Sequence, residues 1–288
     1  MKGKFLKFWG TRGSCPVSGP GYKRYGGNTC CLEVCYGDSH LVIDAGTGIR
    51  PLGEILSRKK IDLFFGHTHW DHIIGLPFFD PLYQAGVEII IWSPESEKSC
   101  KEIFRSIFSS ELFPVSFEEI YARIDFRTTH PKTPVSLGEL SIDFHATHHP
   151  GGAFCFKIKT PRQTIGYVTD NEIFRGYHGS PEIVPAEIVE PSLSLIDFLS
   201  ECDLLIHEAQ YSAEEYLDKE GWGHSSIENT ALLIEKTKIS NWLVTHHDPK
   251  HEDRKLNLAA KQAKKFLRQR RIPCSVKWIA DEEEMVLM

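Results

Sequence analysis

Apolar residues in this chain fall mostly in short runs, some alternating with polar residues and some uninterrupted. Lys4-Phe5-Leu6-Lys7-Phe8 and Leu140-Ser141-Ile142-Asp143-Phe144 alternate, which predicts strands buried on one face. Leu41-Val42-Ile43, Ile61-Asp62-Leu63-Phe64-Phe65, Leu204-Leu205-Ile206 and Trp242-Leu243-Val244-Thr245 are nearly or wholly apolar and predict buried strands. Phe154–Ile158, Thr164–Val168 and Ser275–Ile279 add further strands. Helical spacing appears in Leu256, Ala259, Ala260, Ala263, Phe266 and Leu267, and again over Glu97 to Phe108. No Gly/Ser-rich or Pro-rich linker divides the chain, so residues 1–288 read as one domain with insertions near 94–131 and 171–200. Two halves that each alternate strands with helices fit an α/β chain folded as a four-layer αββα sandwich.

Composition narrows this picture. With 288 residues, 41% of them hydrophobic, the chain can bury a substantial core. Met1-Lys2-Gly3-Lys4 leads straight into a strand without the apolar stretch of a signal peptide, and no run approaches the ~20 apolar residues of a membrane span. A cytoplasmic protein with no membrane partner is expected. The eight cysteines form no CxxC pair and several sit in apolar runs, so reduced thiols are expected, with Cys30, Cys31 and Cys35 the cluster to test for oxidation. A net charge of −6 argues against a general nucleic-acid binder. Lys264, Lys265, Arg268, Arg270 and Arg271 read as a solvated helix face near its C-terminus, and Asp281-Glu282-Glu283-Glu284 as a solvated strand edge or turn.

The densest chemistry is His67-Thr68-His69-Trp70-Asp71-His72, directly after an apolar run. Clustered imidazoles compete for partners and cost desolvation unless a cation pairs with them, so the spacing predicts a metal site. Asp71 and His72 fall at the start of the helix-like Ile73-Ile74-Gly75-Leu76, and Trp70 is expected to pack. Further ligand-type residues follow other predicted strands: His148 and His149, Asp170, His207 and Glu208, His246 and His247, with Asp44 after Leu41-Val42-Ile43. Collecting such residues at strand ends is how a sheet builds a site from distant sequence.

These residues closely resemble the metallo-β-lactamase superfamily, whose hydrolases share the HxHxDH loop and take a His, an Asp and a final His later in the chain. The resemblance covers nearly all of the sequence. It is narrowest toward the phosphodiesterase branch, which includes tRNA 3′-processing enzymes, through Trp9-Gly10-Thr11-Arg12-Gly13-Ser14, Arg24-Tyr25-Gly26-Gly27-Asn28-Thr29, Ile43–Gly48, Phe113-Pro114-Val115, His207-Glu208-Ala209, Gly223-His224-Ser225-Ser226 and His246-His247-Asp248-Pro249. It implies that His67, His69 and His149 hold one metal, that Asp71, His72 and His246 hold a second, and that Asp170 bridges them. His149 is preferred to His148 on the family's spacing to the next strand, and His246 to His247 because it follows its strand directly. Asp44 is expected to orient a ligand histidine. Glu208 and His224 match the branch's proton relay, with Asp71 as a further proton acceptor; equally, Glu208 could end its strand in an ordinary hydrogen bond and Ser225 or Ser226 could cap a helix.

Two divalent ions, zinc first with manganese or iron as alternatives, would activate a bridging hydroxide for phosphodiester hydrolysis. Small or cyclic nucleotides are the expected substrates. A tRNA 3′-processing endoribonuclease acting on RNA is one alternative, and a non-hydrolytic diiron oxygen-binding or redox protein another. Arg12 and Arg24 could clamp phosphate or serve the surface. The two insertions suit a lid over a small pocket or a homodimer contact.

Overall fold

The computed structural model describes residues 3–179 and 184–288; the start of the predicted N-terminal stretch, Met1 and Lys2, and part of the 171–200 insertion, 180–183, lie outside the described residues. The first half runs β1 (Lys4–Gly10), β2 (Cys31–Tyr36), β3 (Ser39–Ile43), α1 (Ile49–Ile55), β4 (Lys60–Phe64), α2 (Trp70–Ile73), β5 (Glu88–Ser93), α3 (Glu97–Ile107) and β6 (Arg123–Thr128). The second continues with β7 (Val135–Leu137), β8 (Leu140–Thr147), β9 (Ala153–Lys159), β10 (Thr164–Val168), α4 (Ala186–Val189), α5 (Leu193–Leu199), β11 (Leu204–Glu208), α6 (Ala213–Tyr216), α7 (Ile227–Thr237), β12 (Asn241–Thr245), α8 (Asp253–Gln269), β13 (Ser275–Trp278) and β14 (Glu283–Val286).

These strands form two mixed sheets, ordered β14-β1-β2-β3-β4-β5-β6 and β13-β12-β11-β10-β9-β8-β7. In the first, β3, β4, β5 and β6 are parallel; in the second, β10, β11, β12 and β13 are. The sheets face each other across a core that includes Leu6, Phe8, Leu41, Ile43 and Phe64 on one side and Ile142, Phe144, Phe156, Ile206 and Leu243 on the other. Phe64 meets Phe144 and Phe156 there, with ring centroids 6.3 Å away in both cases. The outer face of the first sheet packs on α1 and α3 through Val42, Leu52, Leu63, Ile91 and Phe104. That of the second packs on α5, α7 and α8 through Val168, Leu199, Leu233, Trp242 and Ala263. The result is the four-layer αββα sandwich.

This layering accounts for the apolar runs. Leu41 and Ile43 point into the space between the sheets and Val42 points to the helices, so no position in β3 faces water. β8 alternates because Leu140, Ile142 and Phe144 are buried while Ser141, Asp143 and His145 are only half-buried. The segment 94–131 folds back as α3 and then pairs β6 along β5 from Glu88↔Arg123 to Ser93↔Thr128. Asp281 departs from the expectation of a solvated acidic run. Its carboxylate accepts hydrogen bonds from Thr11 N, Thr11 Oγ1 and Asn28 N, tying the turn between β13 and β14 to the N-terminal loop. All eight cysteines are free thiols. Among the described residues no helix is long and apolar enough to cross a membrane.

Candidate metal centre

Parallel strands leave their C-terminal ends at one edge, and there the ligand-type residues meet. β3 ends at Asp44, β4 leads to His67, β8 to His149, β10 to Asp170 and β12 to His246. Ser14, Asp44, Asp170 and His246 take φ values of 63°, 65°, 56° and 56°, the left-handed region that side chains other than glycine seldom enter. Such turns swing a side chain sharply off the strand axis, and their concentration here marks backbone held in place for a site.

The side chains form two groups around Asp170. In the first, His69 Nδ1 and His149 Nε2 are 3.0 Å apart, and His67 Nε2 and His149 Nε2 each stand 3.8 Å from Asp170 Oδ1. In the second, His72 Nε2 lies 3.1 Å and His246 Nε2 3.3 Å from Asp170 Oδ2, and both lie 3.4 Å from Asp71 Oδ2. Asp170 thus turns one oxygen to each group. Tetrahedral donors at 2.0–2.2 Å from a central ion are separated by about 3.3–3.6 Å, close to the spacing seen. His67 Nε2, His72 Nε2, His246 Nε2 and Asp170 Oδ2 are buried and make no hydrogen bond within the protein. Buried polar atoms left this way are costly, and a cation in each group would satisfy them. The residues therefore fit two metal ions.

Electrostatics agree. Burial holds the His67 imidazole well below its usual pKa, favouring the neutral form that a metal needs. Burial works the same way on His72, but Asp44, Asp71 and Asp170 outweigh it and raise this imidazole well above the ordinary range. His246 is raised well above its ordinary value too, against burial, chiefly by Asp170. Asp71 and Asp170 are held well below the usual carboxylate range in spite of burial, Asp71 mainly by His72 and Asp170 mainly by His246 and His72. The second group is consequently a place where cations and protons compete.

The surrounding shell fixes ring orientation. His149 Nδ1 donates to the Gly223 carbonyl at 3.0 Å, leaving Nε2 for a ligand. His72 Nδ1 stands 3.0 Å from Asp44 Oδ2, and Tyr167 donates its hydroxyl to the same oxygen. Asp71 Oδ2 accepts Ser14 N–H at 2.7 Å. The Gln210 amide nitrogen lies 3.2 Å from His246 Nδ1 and donates to the His246 carbonyl at 3.3 Å, bracing this ring and its backbone together. His224 Nδ1 is 3.1 Å from Glu208 Oε2, and its ring lies 5.3 Å from that of His149 and 5.2 Å from that of His246. Glu208 also accepts Asn171 N–H, while Ser226 caps α7, accepting Asn229 N–H. The ion pair and the helix cap therefore coexist.

Other neighbours have other places. His148 is exposed, and His247 Nε2 is spent on the Ile279 carbonyl at 2.8 Å. Arg12 is fully buried and donates to the carbonyls of Gly26, Asp248 and His251, so it braces loops and is withdrawn from phosphate. Arg24 is exposed, its guanidinium 5.2 Å from the Tyr25 ring centroid. Trp70 does not pack: it is 52% exposed, because the turn that buries His67, Asp71 and His72 points it outward. Gln210 and Tyr167 were not singled out in the sequence, and Gly223 and Cys30 were named there only within a motif and a thiol cluster, with no part in this site. Cys30, 1% exposed, groups with His72 and His246, yet it lies far from both in sequence and carries no spacing signal. Gln210 could have been found as the outward neighbour of Glu208 at the same strand end.

Comparison with known proteins agrees with this geometry. Residues 40–247 match the family described as Beta-lactamase superfamily domain. The chain is 23% identical over 256 residues to a Ribonuclease Z from Limosilactobacillus fermentum, covering 78% of this chain and 80% of the relative. The metallo-beta-lactamase fold protein YhfI from Bacillus subtilis superposes with a TM-score of 0.69 at 18% identity, covering 98% of both chains. A diphosphatase from the PhnP family gives 0.66 at 16% identity, covering 99% of this chain and 98% of that one.

Proposed function

The chain belongs to the β-lactamase superfamily domain family, and from that premise we propose that it is a binuclear metal-dependent hydrolase of phosphodiester bonds. The observation that carries this reading is the pair of ligand groups sharing Asp170, one oxygen to each. His67, His69 and His149 would hold one ion, Asp71, His72 and His246 the other, with zinc the first candidate and manganese or iron the alternatives. When bound, two divalent ions supply an activated water and neutralise the charge that grows on a phosphoryl oxygen.

The protein's own groups manage the protons. His224 is raised above its ordinary pKa against burial, by the charge of Glu208 and the hydrogen bond to it, which favours the protonated ring beside the ligand histidines. It donates to the departing alkoxide, and Glu208 keeps Nδ1–H engaged so that Nε2 faces the leaving group. Asp71, held well below the usual carboxylate range, would accept the proton of the attacking water.

Small or cyclic nucleotides are the substrates this reading favours. The segments that could have reached for a large RNA fold onto the body: Phe104, Ile107 and Phe108 in one and Ile173, Leu195 and Leu199 in the other are buried. A tRNA 3′-processing activity is the second reading, favoured by the relative named Ribonuclease Z. A cytoplasmic setting belongs to the same proposal and is supported by the free thiols. The test is metal analysis of the purified protein with hydrolysis of bis-p-nitrophenyl phosphate, beside Asp170→Ala. About two divalent ions per chain with turnover, both lost in the variant, is the expected result. Two irons, visible colour and no turnover would overturn it.

A further inference from the structure

We propose that the cavity beside His149 seats the single nucleoside of a mononucleotide-sized phosphodiester. This deepens the phosphodiesterase reading and rests on it. The cavity measures about 470 Å³, and His149, one of the candidate ligands, is among its lining residues together with Pro150. In this proposal a phosphodiester at the metal centre extends one ester substituent alongside His149 into the cavity.

The lining selects what that substituent is. Phe174, Ile188 and Pro191 supply apolar walls, while Arg175 and Glu187 add a cation and an anion. A lipid chain would make no use of either charge, whereas a nucleobase offers a flat apolar face to such walls and edge donors and acceptors to such charges. Among the described residues Arg175 has one polar partner, its Nε 3.2 Å from Glu220 Oε1, which leaves the rest of the guanidinium for a base edge. The exposed His148, unused by the metal centre, stands at the same wall. The volume suits one nucleoside, and an RNA helix would need an open groove.

The wall is built rather than incidental. Glu172 is buried, and its carboxylate accepts the Tyr216 hydroxyl at 2.7 Å, Gly221 N–H at 2.7 Å and Gly223 N–H at 3.1 Å. Gly221 lines the cavity and the Gly223 carbonyl holds His149, so one carboxylate fixes the nucleoside wall and a metal ligand in common register.

The experiment compares kcat/KM of the metal-loaded protein for the p-nitrophenyl ester of thymidine 5′-monophosphate and for methyl p-nitrophenyl phosphate, which share a leaving group and differ in the nucleoside. Wild-type protein should prefer the nucleotide ester by about 100-fold, on the order of 1–3 kcal/mol per good pocket contact. Arg175→Ala, at an exposed position, and Ile188→Trp, which fills the cavity, should each shrink that ratio about tenfold, mainly through KM. Turnover of both esters with a ratio unmoved in both variants overturns the nucleoside cavity and leaves the hydrolase standing. No turnover of either ester overturns both.

Discussion

At the scale of single residues, the proton relay proposed for Glu208 and His224 can be separated from metal holding by experiment. His224 touches no ligand through its nitrogens in the way that Asp170 does; it pairs with Glu208 and lies beside the rings of His149 and His246. His224→Ala should therefore lower kcat by about 10²–10⁴-fold, the usual span for general acid–base catalysis, while metal analysis still finds both ions. Unchanged turnover would remove the relay. Asp281 makes a second residue-scale prediction, concerning pH. Burial raises its carboxyl to about 6, above the roughly 3.9 of an unfolded chain. Between those values the folded state keeps a proton that the unfolded state has released. Stability from this group is thus fully present below about pH 4 and is lost as pH rises through about 6, by up to about 2–3 kcal/mol. The difference in urea-unfolding free energy between wild type and Asp281→Asn, followed from pH 4 to 8 at fixed metal concentration, should fall across that window and then level. A flat difference would show that the carboxyl titrates normally.

At the scale of elements, the centre depends on how strands end and on the loops that follow. Gly223, φ +86°, turns its carbonyl to His149, and a Cβ placed there would come within 2.3 Å of His149 Nδ1. Gly223→Ala should displace that ring and weaken the first ion about 10–100-fold, the usual effect of disturbing a ligand's outer partner, as measured by chelator competition. Equal affinity would mean that the ring is held by other contacts. The Ser226 cap of α7 is independent of the metals. Ser226→Ala should cost about 1 kcal/mol of stability with metal content unchanged, because the hydroxyl serves Asn229 N–H and touches no ligand. Strands and helices were legible from periodicity since each has a face, or two, to bury. Left-handed ends such as Asp170 and His246 were not, because local preference opposes them and only the assembled sheets hold them there.

At the scale of the whole molecule, the two sheets carry opposite halves of the site: β4 leads to His67, His69, Asp71 and His72, while the second sheet brings His149, Asp170 and His246. Ions bound between them would cross-link the sandwich. Chelation should lower the melting temperature by several degrees, since ligands that bind only the folded state stabilise it by mass action, and an unshifted melting curve after proven metal removal would argue against the cross-link. The alternating and apolar runs determined the strands and the HxHxDH spacing a metal site, because a buried strand needs an apolar face and a metal needs donors close together, while the later ligands His149, Asp170 and His246 were implied by the family resemblance. The sequence ranked neighbours by family spacing and strand position, but which of them turns inward is set by the tertiary structure. His149 over His148, His246 over His247, the burial of Arg12 and the exposure of Trp70 depend on backbone direction at strand ends and on distant partners such as Gly223, Gln210 and Asp44. Adjacent residues of the same chemical type look alike along the chain, and only the packing of two sheets distinguishes the side facing the metals from the side facing water.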